Sequence, residues 1–208
     1  MAQPYKLPLR TAEAEFTEKK SRFISHIRPV SSEAEALAFL GAIRDTHRDA
    51  SHNVYVWRLK QGGLCRHSDD GEPSGTAGMP LLDVFLKQDI YDFCCVATRY
   101  YGGINLGAGG LTRAYSRCGV IALEASGVSV MRELTQCAVT LPYTLHEPFK
   151  RLISACGAEI NGELFGTEVE IKFSLPTEEL PALQGKFTEL TAGSFNIRIE
   201  GKLMVARR

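Results

Sequence analysis

The chain has 208 residues, 44% of them apolar, with 24 Lys and Arg against 24 Asp and Glu. That length suits one large domain or two small ones, each able to bury a core without disulfide staples, and the ordinary charged and aromatic content argues against disorder. A net charge of zero excludes a protein that is basic throughout, but it leaves room for a local basic patch on a polarised surface. Neither a signal-peptide run at the start nor an apolar window of membrane-spanning length is present in the sequence. The cysteines (Cys65, Cys94, Cys95, Cys118, Cys137 and Cys156) lack C-x-x-C spacing, and Cys65-x-His67 has no second ligand pair nearby. The expectation is a cytoplasmic protein with reduced thiols and no cofactor or metal.

In chain order, Arg22–Val30 reads as a strand, and Ser31 and Ser32 offer caps for a helix with Ala36, Leu37, Leu40 and Ile43 at 3.6-residue spacing. His52–Leu59 alternates, with Val54 and Val56 on one face and Tyr55, Trp57 and Leu59 on the other. After a long polar loop, Ala77–Gln88 is predicted helical and Asp92–Tyr100 is a continuous apolar strand. A glycine-rich turn then feeds a helix from about Leu106 to Ala125, whose apolar stripe is Leu111, Ala114, Tyr115, Cys118, Ala122 and Ala125.

The texture of the sequence changes near Gly127, which divides the chain into domains 1–127 and 128–208. From Glu133 onward the order is β-α-β-β-α-β: strand Thr135–Leu141, helix Leu145–Cys156, two strands around Gly166, a helix capped by Thr177 and a strand Phe195–Ile199. This is a ferredoxin-like, split βαβ pattern within an α+β chain. Some such sheets bind RNA by stacking bases on exposed aromatics. The positions predicted to be exposed here, Gln136, Thr140, Glu170, Lys172, Asn196 and Arg198, include no aromatic, so a structural or partner-docking role suits this half better.

Two segments of the first half carry chemistry. In Arg66–Pro80, the acids Asp69, Asp70 and Glu72 suit either a divalent cation or turn and cap duties, while Gly71, Gly75 and Gly78 mark specified turns and Ser74 or Thr76 can cap the next helix. In Thr98–Tyr115, a buried strand ends at Arg99, Tyr100 and Tyr101, and Gly102, Gly103, Gly107, Gly109 and Gly110 lead into a helix. A strand, glycine loop and helix N-terminus in that order suit an anion. The spacing matches neither a P-loop nor a dinucleotide fingerprint, so nucleotide hydrolysis has no support. Arg113 and Arg117, one helical turn apart, join Arg99 as cations able to neutralise phosphate, with Tyr100 or Tyr101 to stack a base. The alternative is that the arginines pair with Asp69, Asp70 and Glu72 and brace one loop against the other. Lys19-Lys20-Ser21-Arg22 could extend the same patch. No Ser/His/Asp or Cys/His arrangement is legible, so no catalytic residue is assigned.

Together, KKSRF, HSDDGEPSGTAGMP and RYYGGINLGAGGLTRAY resemble the bacterial branch of the IMPACT family, over the whole length of the chain. The resemblance implies an N-terminal domain like domain 2 of ribosomal protein S5 and a ferredoxin-like C-terminal domain. The eukaryotic relatives relieve inhibition of translation, which implies a non-catalytic, translation-linked regulator that binds RNA or a ribosome-associated protein, away from membranes. The enzyme alternative is a phosphate-ligand enzyme with the fold of GHMP-type kinases, which resembles the same S5-like architecture. Residues 1–128 hold 15 basic and 14 acidic side chains, so any attraction to nucleic acid must come from a few arginines beside the glycine loop.

Overall fold

The computed structural model describes residues 3–207 and divides into two compact units, Tyr5–Val130 and Met131–Arg207. In the first, β1 (Tyr5–Pro8), β2 (Ala12–Glu18), β3 (Ser21–Pro29), α1 (Glu33–Thr46), β4 (His52–Arg58), β5 (Cys65–Ser68), α2 (Gly78–Lys87), β6 (Phe93–Tyr100) and α3 (Gly107–Ser126) follow one another. A sheet of order β2-β3-β6-β4-β5 is covered on both sides. One face packs Val54, Val56, Cys95 and Ala97 against α2 and α3; the other packs Trp57, Cys94 and Val96 against α1. Burial on both faces is why β6 reads as an unbroken apolar run rather than an alternating one.

The elements beyond Gly127 are β7 (Val128–Leu141), α4 (Tyr143–Ala155), β8 (Glu159–Phe165), β9 (Val169–Pro176), α5 (Leu180–Thr191) and β10 (Arg198–Arg207). β10 pairs with β7, β7 with β9, and β9 with β8, which is the strand arrangement of a split βαβ unit. Its core gathers Phe149, Ile153, Phe173, Leu183 and Phe187. The chain is thus an α+β protein of two domains. All six exposed sheet positions expected from the sequence are exposed or half-buried.

Several local expectations are corrected. Leu37 is 51% exposed and Phe39 takes its place against the sheet, because the buried stripe of α1 is Ala36, Phe39 and Leu40. Thr177 does not cap α5: its hydroxyl lies 2.9 Å from that of Thr135 and donates to the Glu133 carbonyl, and a short 3-10 turn, Thr177–Glu179, begins the helix instead. The last strand starts at Arg198, since Phe195 and Ile197 are held by packing on the core rather than by a ladder. Neither Ser74 nor Thr76 caps α2. The strands β1, β2 and β5 had no counterpart in the sequence reading.

The cysteines are free thiols, and burial pushes Cys94 and Cys118 up to about 12. Apart from the half-buried Cys65, the cysteines are buried interior hydrophobes. His26 is buried on β3, with its Nδ1 3.2 Å from Glu13 and its ring centroid 5.1 Å from that of His47. Burial lowers the His26 pKa below the ordinary 6.5, outweighing the pull of Glu13, and His47 acts in the same direction as burial. The unfolded chain therefore takes up this proton first on acidification. Stability is expected to be full above about pH 6.5 and to fall below it, by at most about 1.4 kcal/mol per pH unit. Urea titrations between pH 5 and 8 test this; His26→Phe should flatten the slope below pH 6.5, and an unchanged slope would reject His26 as its origin.

Candidate nucleic-acid interface

The acidic loop is structural. Asp69 accepts backbone N–H bonds from Gly75, Ala77 and Gly78 at 2.7–3.0 Å, and so caps α2 from across the loop. Burial alone would raise the Asp69 carboxyl, but these donors together hold it below its usual range. Asp70 accepts from Arg44 Nη2 and from Asn53 N, both at 2.7 Å, and its carbonyl meets His52 Nδ1. Glu72 Oε1 accepts from Arg99 Nη1 at 2.7 Å and from Tyr115 Oη at 2.8 Å, with the two charged side chains only 6% and 3% exposed. Among the described residues no group of three or more His, Cys, Asp and Glu is arranged to hold a metal ion.

This corrects the place of Arg99. Its side chain points from β6 into the interior, where Glu72 and Ser21 Oγ engage it. It is a brace and not a groove cation, because a buried guanidinium requires a paired carboxylate. Tyr100 is corrected as well: its hydroxyl lies 2.9 Å from His47 Nδ1 and donates to Asp49 Oδ1 at 3.2 Å, tying it to the C-terminal end of α1. Tyr101, just past the strand, is the exposed tyrosine, at 51%.

Arg113 and Arg117 behave differently. Asp70 is committed to Arg44 and Glu72 to Arg99, so both α3 arginines are exposed without a carboxylate partner among the described residues. They line a cleft of about 240 Å³ with Phe16, Lys19, Leu106, Gly110 and Ala114, and with one acid, Glu18. Arg117 lies over the Phe16 ring at 4.3 Å from its centroid, and Phe16 stacks on Phe23 at 5.1 Å. The guanidinium plane is thereby held on an aromatic support rather than left to rotate freely. Leu106 and Gly110, at the start of α3, line the cleft; the helix begins at Gly107, whose N–H donates to Asn105 Oδ1 at 2.9 Å, and Leu106 at the N-cap offers no side-chain cap. The positive end of the helix dipole thus joins the cationic cleft.

The glycines divide by role. Gly103 and Gly107 adopt positive φ and shape the turn; Gly109 and Gly110 lie in the first turn of α3. Gly102 sits against the β2–β3 hairpin so closely that a Cβ would lie 2.0 Å from the Lys20 carbonyl oxygen. The structure therefore brings Lys19, Gly110, Arg113 and Arg117 into one cleft, places Tyr101 and Gly102 beside the hairpin, and takes Arg99, Tyr100 and the three acids out of it. Sequence reasoning missed Phe16, Glu18 and Leu106. The signal available was the strict alternation of Ala12, Ala14 and Phe16 with Glu13, Glu15 and Thr17.

The model of the Impact N-terminal domain matches residues 19–123, and that of a domain of unknown function, DUF1949, matches residues 139–194. The IMPACT family member YvyE of Bacillus subtilis (strain 168) is 35% identical over 98% of this chain and 94% of its own length. The family member YigZ of Escherichia coli (strain K12) is 31% identical, covering 86% and 89%. A crystal structure described as that of a hypothetical protein aligns with a TM-score of 0.61 at 28% identity, covering 95% of this chain and 98% of that one. No helix among the described residues is long and apolar enough to cross a membrane.

Proposed function

Since this chain belongs to the IMPACT family, we propose that it is a non-catalytic, translation-linked regulator that binds RNA, free or within a ribosomal particle, through the cleft of its N-terminal domain. The observation that carries this reading is the pair of unpaired, exposed arginines, Arg113 and Arg117, sharing one cleft with Lys19 at the start of α3. Free cations in a concave, partly aromatic site suit a phosphodiester backbone. Glu18 at the rim tempers the attraction, and the neutral domain around the cleft supplies no long-range pull. Weak, salt-sensitive binding follows.

The test is a salt titration with a fluorescein-labelled twelve-nucleotide oligouridylate and with ribosomal fractions. Three cleft cations on a single strand give a slope of log K against log salt of about −2. Arg113→Glu is expected to abolish the binding while moving the melting temperature by less than about 2 °C, since exposed substitutions have small effects on stability. No affinity for either probe would retire the RNA reading. The enzyme alternative predicts that nucleotide with Mg²⁺ raises the melting temperature.

A further inference from the structure

The turn between β2 and β3 is unusual in a way that bears on the cleft. Glu18 pairs with Ser21, leaving Lys19 and Lys20 as a two-residue loop, and both have positive φ, 44° and 65°. Turns of this type favour Asn-Gly, because left-handed backbone is strained for residues carrying an ordinary Cβ. Such strain persists where neighbouring structure over-determines it. Here the backbone of Gly102 presses on Lys20, and Ser21 Oγ accepts from Gly102 N at 3.3 Å and from Arg99 Nη2 at 3.2 Å. The turn is pinned from behind while both lysine side chains remain exposed and without a carboxylate among the described residues.

The two lysines lead in different directions. Lys19 lines the cleft with Arg113 and Arg117. Lys20 adjoins Gly102 and hence Tyr101, whose exposed ring has the Arg99 guanidinium 5.3 Å from its centroid. The cleft and the exposed tyrosine are thus not separate features; the strained turn stands between them. Building on the RNA reading above, we infer that the Lys19–Lys20 turn is itself a ligand contact that guides one RNA strand from the α3 cleft to Tyr101. Lys19 meets the phosphate seated at Arg113 and Arg117, Lys20 meets the next, and a base stacks on Tyr101. A duplex keeps its bases stacked within, so the ligand class is single-stranded.

The decisive variant is K19N/K20G, which installs the residues this turn favours. It is expected to raise the melting temperature by roughly 4 °C and to weaken binding of the labelled oligouridylate at least about tenfold at low salt. With Lys20 engaged, the wild-type slope is near −3 rather than −2, and the variant falls to about −1.4. K19R/K20R keeps the charge and should retain the affinity. Tyr101→Ala should weaken binding about tenfold with the slope unchanged. A wild-type slope of −2 with Lys20→Gly alone binding normally would overturn this inference and leave the cleft reading, in which Lys19 is one of three cations, intact. Failure of the wild type to bind any oligonucleotide would overturn both, and a duplex bound as tightly as the single strand would overturn the path to Tyr101. An unchanged melting temperature in K19N/K20G would remove the premise that the turn stores strain.

Discussion

Glu72→Gln is expected to destabilise the N-terminal domain by about 3–5 kcal/mol, read as a lower urea midpoint with an unchanged m-value. Glutamine keeps the shape of the side chain and can still accept from Tyr115, so the loss isolates the charge. Arg99 is left as an uncompensated cation in a site where its side chain is 6% exposed. Arg99→Met should destabilise comparably by stranding Glu72. The double variant E72Q/R99M should lose much less than the sum, because two neutral groups carry no buried-charge penalty. Strict additivity would mean that the pair is not a pair in solution.

The same variants separate bracing from binding. Arg99 lies behind the hairpin, held by Glu72 and Ser21. At a temperature where Arg99→Met remains folded, its salt slope for the oligouridylate should match that of the wild type. A slope reduced by about 0.7 would return Arg99 to the list of phosphate contacts.

The placement of Arg99 marks the limit of what the sequence discloses. The glycine loop, the acidic loop and the split βαβ order of the second domain were all legible, because turn chemistry and the two hydrophobic periods are local properties. Which arginine faces a ligand is not local. Arg99 sits at the end of a strand buried on both faces, where alternation gives no outside, and its orientation is decided by Glu72, far away in sequence. Arg113 and Arg117 were readable as one helical face, but their freedom depends on which cations the acids chose, and Arg44 was not among the expected partners of Asp70. Missing β2 hid the hairpin; with it went the strained lysine turn and one wall of the cleft.

Gly102→Ala is the substitution expected to damage fold and binding together. An added Cβ would lie 2.0 Å from the Lys20 carbonyl oxygen and 2.1 Å from its carbon, and both atoms belong to backbone that cannot rotate away. The segment after β6 must lift off the hairpin, losing the Gly102 N–H bond to Ser21 as it goes. Overpacking against rigid backbone together with one lost hydrogen bond amounts to about 2–4 kcal/mol. Because that contact pins the lysine turn, oligouridylate affinity should fall as well, although no phosphate contact has been removed. Gly109→Ala provides the contrast. Its Cβ would meet only Arg113 Nη1, at 3.6 Å, within the first turn of α3, so alanine should stabilise the helix by about 0.5–1 kcal/mol. If Gly109→Ala gains stability yet loses affinity, that glycine serves close approach of a phosphate to the helix backbone. If it gains stability and binds normally, the ligand is held by side chains alone, and Gly102 is required by its contact with the Lys20 backbone, to hold the hairpin in place.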